Sequence, residues 1–261
     1  MESKQEPMLQ VKDLAISFFN KEGEIKAVRG ISYELNKGEV LGIAGLLGAG
    51  RTELLRAIFG ADSYDSGTVT VHGKKVQKGN PKYAKKAGIA MTSENRKDEG
   101  LIQIHSVREN LVLANLKTIC PRGLYARRIE KQMVDEQIDN LEIKVSSPEV
   151  AVSSLSGGNQ QKVVVGNWLN TKPRVILLDE PSRGIDIGAK QQIFDIVWDQ
   201  STKGVGSVIV SSELEELLQT CHRILILHEG RITREVIPKE TSVEDLYALC
   251  METDGAAAGS V

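Results

Sequence analysis

The sequence predicts an α/β fold interrupted by a helical insertion, and three observations predict it. Residues 40–44, 175–178 and 208–210 are runs of continuously apolar character, as strands covered on both faces are. Strand and helix patterns alternate at both ends of the chain, whereas from about residue 106 to 169 strand signals give way to good helix formers. At 261 residues and 28.6 kDa, the chain also stands at the upper end of what one hydrophobic core organises.

Taken in order, residues 8–16 and 25–35 alternate apolar and polar as β-strands do, and Asn36, Lys37 and Gly38 turn the chain into the strand at 39–44. A glycine-rich loop follows, then a helix over 52–59. Residues 68–71 resume β structure, with His72 and Gly73 as a hairpin turn before Val76, and residues 89–92 form another short buried strand. In the middle, Val107, Leu111 and Ala114 recur at helical spacing, as do Ile129, Met133, Ile138 and Leu141; ordinary amphipathic core helices account for both sets. Ser106 and Ser156 are capping candidates. The strands at 175–178 and 207–210 flank a helix over 189–201. Residues 224–227 and 231–236 pair across His228, Glu229 and Gly230, a helix spans 242–251, and the small, polar end reads as a disordered tail.

Composition removes several functions. Lys and Arg total 33 against 35 Asp and Glu, a net charge of −2 that offers nucleic acid no general field. The cluster Lys82, Lys85 and Lys86 reads as a solvated helix face. Cys120, Cys221 and Cys250 lie too far apart for a zinc knuckle or a disulfide scaffold and suit a reducing compartment. No apolar run approaches the ~18 residues of a membrane span, and the opening residues do not read as a signal peptide. The expected location is cytoplasmic.

Three motifs carry chemistry. Gly45, Leu46, Leu47, Gly48, Ala49, Gly50, Arg51, Thr52 and Glu53 follow a buried strand and open a helix. They fit the phosphate loop GxxxxGK[ST] except at the lysine, where Arg51 stands. Such glycines let backbone N–H groups face phosphate oxygens, and the Thr52 hydroxyl is of the type that ligates Mg²⁺; a tight strand-to-helix connection is the plainer alternative. Asp179 and Glu180 end the strand at 175–178, at the carboxyl edge where α/β sheets bind ligands. Asp179 is placed to hold Mg²⁺, largely through water, and Glu180 to polarise an attacking water, with a strand end of solvated acids as the plainer alternative. Last, Ser156, Gly157, Gly158, Asn159 and Gln160 follow Leu155 at a helix start, a setting that binds anions or, more plainly, an N-cap.

With these motifs the chain resembles an ABC-transporter nucleotide-binding domain, whose signature is LSGGQ and here reads LSGGNQQK. The variant is similar to the second ATPase domain of ribose- and galactose-type importer subunits, which fuse two such domains. The resemblance implies a P-loop, RecA-like ABC ATPase core, at about residues 7–93 and 172–251, with an antiparallel β subdomain. It implies a helical subdomain at about 94–171 and leaves 252–261 as the tail. By the same resemblance Phe18 takes the position that stacks on adenine, with core packing as the alternative. Asp186 takes the D-loop position, with a helix cap as the alternative.

The departures from the family pattern matter most. Arg51 replaces the phosphate-loop lysine and is not an equivalent donor. Glu94 stands where the family has its Q-loop glutamine and could still ligate Mg²⁺, although a solvated loop acid is the simpler account. Ser212 stands where the family has its switch histidine, so one cationic contact to the γ-phosphate is missing. The resemblance therefore implies a module of a carbohydrate ABC importer that binds ATP and Mg²⁺ in a degenerate, weakly hydrolysing site. Its residues 156–160 would complete the site of a partner nucleotide-binding domain. Transmembrane permease subunits would receive residues 94–124, with Leu101, Ile102 and Ile104 as an apolar contact, and a substrate-binding protein would act indirectly. The alternatives are a non-hydrolysing nucleotide-binding regulator and a soluble ABC ATPase acting on nucleic acid or ribosomes, for which no basic insertion speaks.

Overall fold

The computed structural model describes residues 6–21 and 23–252; of the expected tail, residues 253–261 lie outside these. Two long strands, β1 (Leu9–Asn20) and β2 (Gly23–Leu35), pair antiparallel and lead into β3 (Val40–Ala44) and helix α1 (Arg51–Phe59). Then come β4 (Ser66–Val71), β5 (Lys74–Lys75), α2 (Pro81–Ala87) and β6 (Ile89–Thr92). A π-turn at Arg96–Gly100 opens the helical region of α3 (Val107–Val112), α4 (Leu116–Ile119), α5 (Arg127–Asn140) and α6 (Gly157–Leu169). The chain returns through β7 (Val175–Asp179), α7 (Ile187–Thr202), β8 (Gly206–Val210), α8 (Leu214–Thr220), β9 (Arg223–His228), β10 (Arg231–Val236) and α9 (Val243–Met251).

Two sheets result. One is antiparallel in the order β2-β1-β4-β5, and the other runs β10-β9-β3-β8-β7-β6, parallel apart from the edge strand β10. Every residue of β3, β6, β7 and β8 is buried, which explains their predominantly apolar sequence. Alternate residues supply different cores. Leu41, Ile43, Leu177, Val208 and Val210 pack with α1 and the antiparallel sheet, while Val40, Ala44, Ile176, Leu178 and Ile209 pack with Phe194, Leu217 and Leu246. A third cluster, including Leu101, Val107, Leu111, Val134, Leu141 and Val163, lies within the helical region. The Trp168 indole packs against all three and meets the Phe59 ring edge-on at 5.3 Å.

Several expectations need correction. The helical region is more broken than its periodicity suggests: Ala114 lies in a 3-10 turn after α3, and Arg122 takes a left-handed φ of 55° between Pro121 and Gly123. Ile129 is exposed at the start of α5 instead of in the core. Phe18 and Phe19 are exposed, at 41% and 79%, so core packing explains neither. Leu101 is buried in the helical core, which leaves only Ile102 and the 86% exposed Ile104 at the surface. Finally, Lys85 is half-buried and donates to the carbonyl of Ala114, and burial pulls its pKa down; only Lys82 and Lys86 are solvated.

Candidate functional site

Because β3, β6, β7 and β8 run parallel, their carboxyl ends share one edge of the sheet. That edge delivers the glycine loop after β3, Glu94 after β6, Asp179 and Glu180 at the end of β7, and Ser211 and Ser212 after β8. A cleft of about 410 Å³ opens there, lined among others by Gly45, Leu46, Leu47, Arg51, Glu94, Glu180 and Ser212.

The loop is threaded between two backbones. A Cβ on Gly45 would lie 2.3 Å from the Leu227 carbonyl oxygen, and one on Gly50, whose φ is 98°, would lie 2.2 Å from that of Ala27. Side chains are excluded at both positions, so glycine is a steric requirement here. Leu47 at the crown is 97% exposed. Among the described residues no side chain caps α1, which leaves its first N–H groups to meet an anion in the cleft.

Arg51 lines that space, but its guanidinium is already engaged within the cleft wall. It is only 8% exposed, and its Nη1 donates to the Ser211 carbonyl at 3.0 Å while Nη2 lies 3.6 Å from Glu180 Oε1. Glu180 Oε2 accepts from the Ser212 backbone N–H at 3.0 Å and from its hydroxyl at 3.1 Å. Glu180 itself sits at a left-handed φ of 47°, with its N–H bonded to the Val210 carbonyl at 2.9 Å. Arg51, Glu180 and Ser212 are thus brought together into one bonded group.

Thr52 and Asp179 are also brought together: the Thr52 hydroxyl donates to Asp179 Oδ1 at 3.2 Å. Asp179 is 1% exposed, and burial pushes its pKa up to about 6; the Thr52 bond opposes this, and the neighbouring charge of Glu180 reinforces it. A buried acid whose ionisation is so disfavoured suits a site completed by a cation. The buried Ser93 hydroxyl, next after the Thr92 that pairs with Leu178, has no hydrogen-bond partner among the described residues. Among the described residues no group of three or more His, Cys, Asp or Glu is arranged to hold a metal, so a divalent ion would depend on Thr52, Asp179, water and phosphate oxygens. Glu94 is less free for that task, since it is held by Arg183 across the cleft.

The residues 156–160 do not line this cleft. Ser156 caps α6, accepting from the Asn159 N–H at 3.5 Å and from its side-chain amide at 3.0 Å, and Asn159 Oδ1 accepts from the Lys144 N–H at 2.8 Å. Gln160, expected with the outward-facing signature, is instead buried and donates to the carbonyls of Leu155 and Val152. Asp186 caps α7, accepting from the Ala189 N–H at 3.0 Å. Phe18 lies on β1 outside the cleft lining; its neighbour Ser17 pairs with Lys26, next to the Ala27 that crosses over Gly50.

Sequence reasoning missed the groups that hold these loops. Glu216 Oε2 accepts from Ser182 Oγ at 2.6 Å and Ser211 Oγ at 2.8 Å, and its other oxygen lies 3.2 Å from Lys190 Nζ. It therefore clamps the segments after β7 and β8 that carry Glu180 and Ser212. Nothing in the sequence separates Glu216 from its exposed neighbour Glu215. Arg96 was also missed: its guanidinium donates to the carbonyls of Arg183, at 2.6 Å, and Gly184, at 3.1 Å, beside Gly157.

A parallel sheet with a glycine loop, paired carboxylates and a separate capped signature helix defines a class, and residues 28–183 match the family model described as ABC transporter: the chain belongs to that family. Over 219 residues it is 45% identical to the ribose import ATP-binding protein RbsA of Bacillus subtilis (strain 168), covering 84% of this chain and 44% of that protein. Over 249 residues it is 42% identical to the protein of the same name from Oceanobacillus iheyensis, covering 95% and 49%. The chain thus spans about half the length of these relatives. Among solved structures, a nucleotide-free ATP-binding cassette from an ABC transporter superposes with a TM-score of 0.75 at 24% identity, covering 94% of this chain and 96% of that one. A dimeric post-hydrolysis cassette bound to ADP and Pi gives 0.77 at 22%, covering 88% and 99%. Both show the same fold.

Proposed function

We propose that this chain is an ATPase module of a carbohydrate importer, ribose being the sugar named in its relatives. It binds Mg-ATP at its own glycine loop in a weakly hydrolysing site and lends Ser156 and its helix to the site of a partner nucleotide-binding domain. In this reading it works on the cytoplasmic side beneath separate permease subunits, which Ile102 and Ile104 help to receive; no described helix is long and apolar enough to cross a membrane. Thr52, Asp179 and waters would hold the Mg²⁺, which neutralises phosphate charge when bound.

One observation carries the asymmetry. The Arg51 guanidinium is engaged by Glu180 and the Ser211 carbonyl, and Ser212 donates to the same Glu180 carboxylate. The charge expected on a phosphate is spent on the acid expected to activate water. Since phosphoryl transfer depends on positioning and charge stabilisation, losing such a preorganised contact commonly costs on the order of 10²–10³ in rate. The same geometry favours, as a second reading, a nucleotide-binding regulator without turnover of its own.

Thermal unfolding with and without Mg-ATP tests nucleotide binding. Stabilisation of about 2.7 kcal/mol is expected at a hundredfold excess over Kd, and an unchanged melting temperature at millimolar nucleotide removes the proposal. ATP turnover by the chain alone and with an intact partner domain then separates the two readings: the importer module is slow alone and stimulates its partner.

A further inference from the structure

Residues 116–131 carry five cationic side chains, Lys117, Arg122, Arg127, Arg128 and Lys131, against a single acid, Glu130. That acid is buried and already bonded by Arg108 Nη1, at 2.7 Å, and by the Tyr125 hydroxyl. Lys131 is paired with Asp135 one turn along α5. Among the described residues Lys117, Arg122, Arg127 and Arg128 are exposed and in no ion pair, in a chain whose net charge is −2.

The segment is an ordered projection. The N–H of Ala126 bonds the Ile119 carbonyl at 2.8 Å and that of Leu124 bonds the Pro121 carbonyl at 3.1 Å, closing its base over the buried Ile119. Residues 121–125 are exposed without interruption; Leu124 is 75% and Tyr125 55% exposed, and Leu116 at the start of the segment is half-exposed. Aliphatic and aromatic tips set among unpaired arginines match the lipid–water boundary: the apolar groups enter among the headgroups while the cations meet phosphates.

We propose that residues 116–131 form a membrane-contact surface that seats on anionic phospholipid headgroups. This rests on the reading that the chain works beneath membrane-embedded subunits, which bring this surface to the bilayer. Charge complementarity decides for the bilayer: the free cations are spread over a projecting turn with apolar tips between them, which suits a continuous sheet of phosphates.

The test is sedimentation of the full chain with vesicles of phosphatidylcholine, alone or with roughly a third phosphatidylglycerol, at low and physiological salt. Binding is expected only to the anionic vesicles and should weaken with salt. The triple variant Arg122→Ala, Arg127→Ala, Arg128→Ala should lower the partition coefficient by about a hundredfold, at roughly fivefold per cation. Leu124→Ser should lower it further at constant charge. A control triple of exposed lysines elsewhere, Lys74→Ala, Lys75→Ala and Lys82→Ala, should change it little. Equal losses in the two triples, or no sedimentation with anionic vesicles, overturns the proposal. So does a requirement for these arginines in binding permease subunits when vesicles leave the chain in solution. Mg-ATP stabilisation is read separately on the same samples, so failure of the nucleotide reading is distinguished from failure of this one.

Discussion

Asp179 shows how a single residue's surroundings set its chemistry. Its pKa lies near 6 instead of the ordinary 3.8 because it is buried, so the native state holds the proton more tightly than the unfolded chain does. The sign follows from linkage: the native state is favoured by this group below the ordinary carboxylate range, and that advantage is lost as pH rises through about 6. Asp179→Asn should therefore stabilise the nucleotide-free protein at neutral pH, on the order of 1–3 kcal/mol, and change little below pH ~4. Chemical denaturation across that range checks it; a destabilised variant at neutral pH would mean that the carboxylate is already compensated. The same variant should lose the magnesium dependence of nucleotide binding. Arg51 belongs to the same scale. Its replacement of a lysine was visible in the sequence, but its inward turn toward Glu180 and Ser211 was not, because that depends on the position of the loop after β8.

Elements were legible where one physical rule dominates. The apolar runs of β3, β7 and β8 could only be satisfied by burial on both faces, and Ser106 and Ser156 cap α3 and α6 as their side chains predict. The stretch between α3 and α5 was less legible because tertiary contacts override its periodicity there, although Pro121 and Gly123 do mark the break. In the site, the strand-end acids and glycine loop could be read directly, whereas Glu216 and Arg96 act across elements distant in sequence. Gly158 shows the limit of reading a motif as function alone: a Cβ there would stand 2.3 Å from the Ala189 Cβ at the start of α7. Its φ does not demand glycine, so the constraint is the contact between α6 and α7. Gly158→Ala should destabilise the chain by about 1–3 kcal/mol through overpacking, measured by denaturant unfolding. Unchanged stability would show that the two helices part freely, and their role in fixing the signature would then need another source.

Across the whole molecule, the cleft and the signature helix lie in different places: the glycine loop and paired acids line one, while Ser156 presents its exposed end at another. In the proposed reading, a chain built this way would serve two nucleotides unequally, its own held where Arg51 and Ser212 engage Glu180 and a partner's met by Ser156. ATP turnover of the assembled transporter carrying either Ser156→Arg or Glu180→Gln in this chain tests that division most directly. Ser156→Arg is expected to abolish turnover while this chain's own Mg-ATP stabilisation stays unchanged, and Glu180→Gln to lower turnover only modestly. Glu180→Gln as damaging as Ser156→Arg would contradict it and make this cleft the catalytic one.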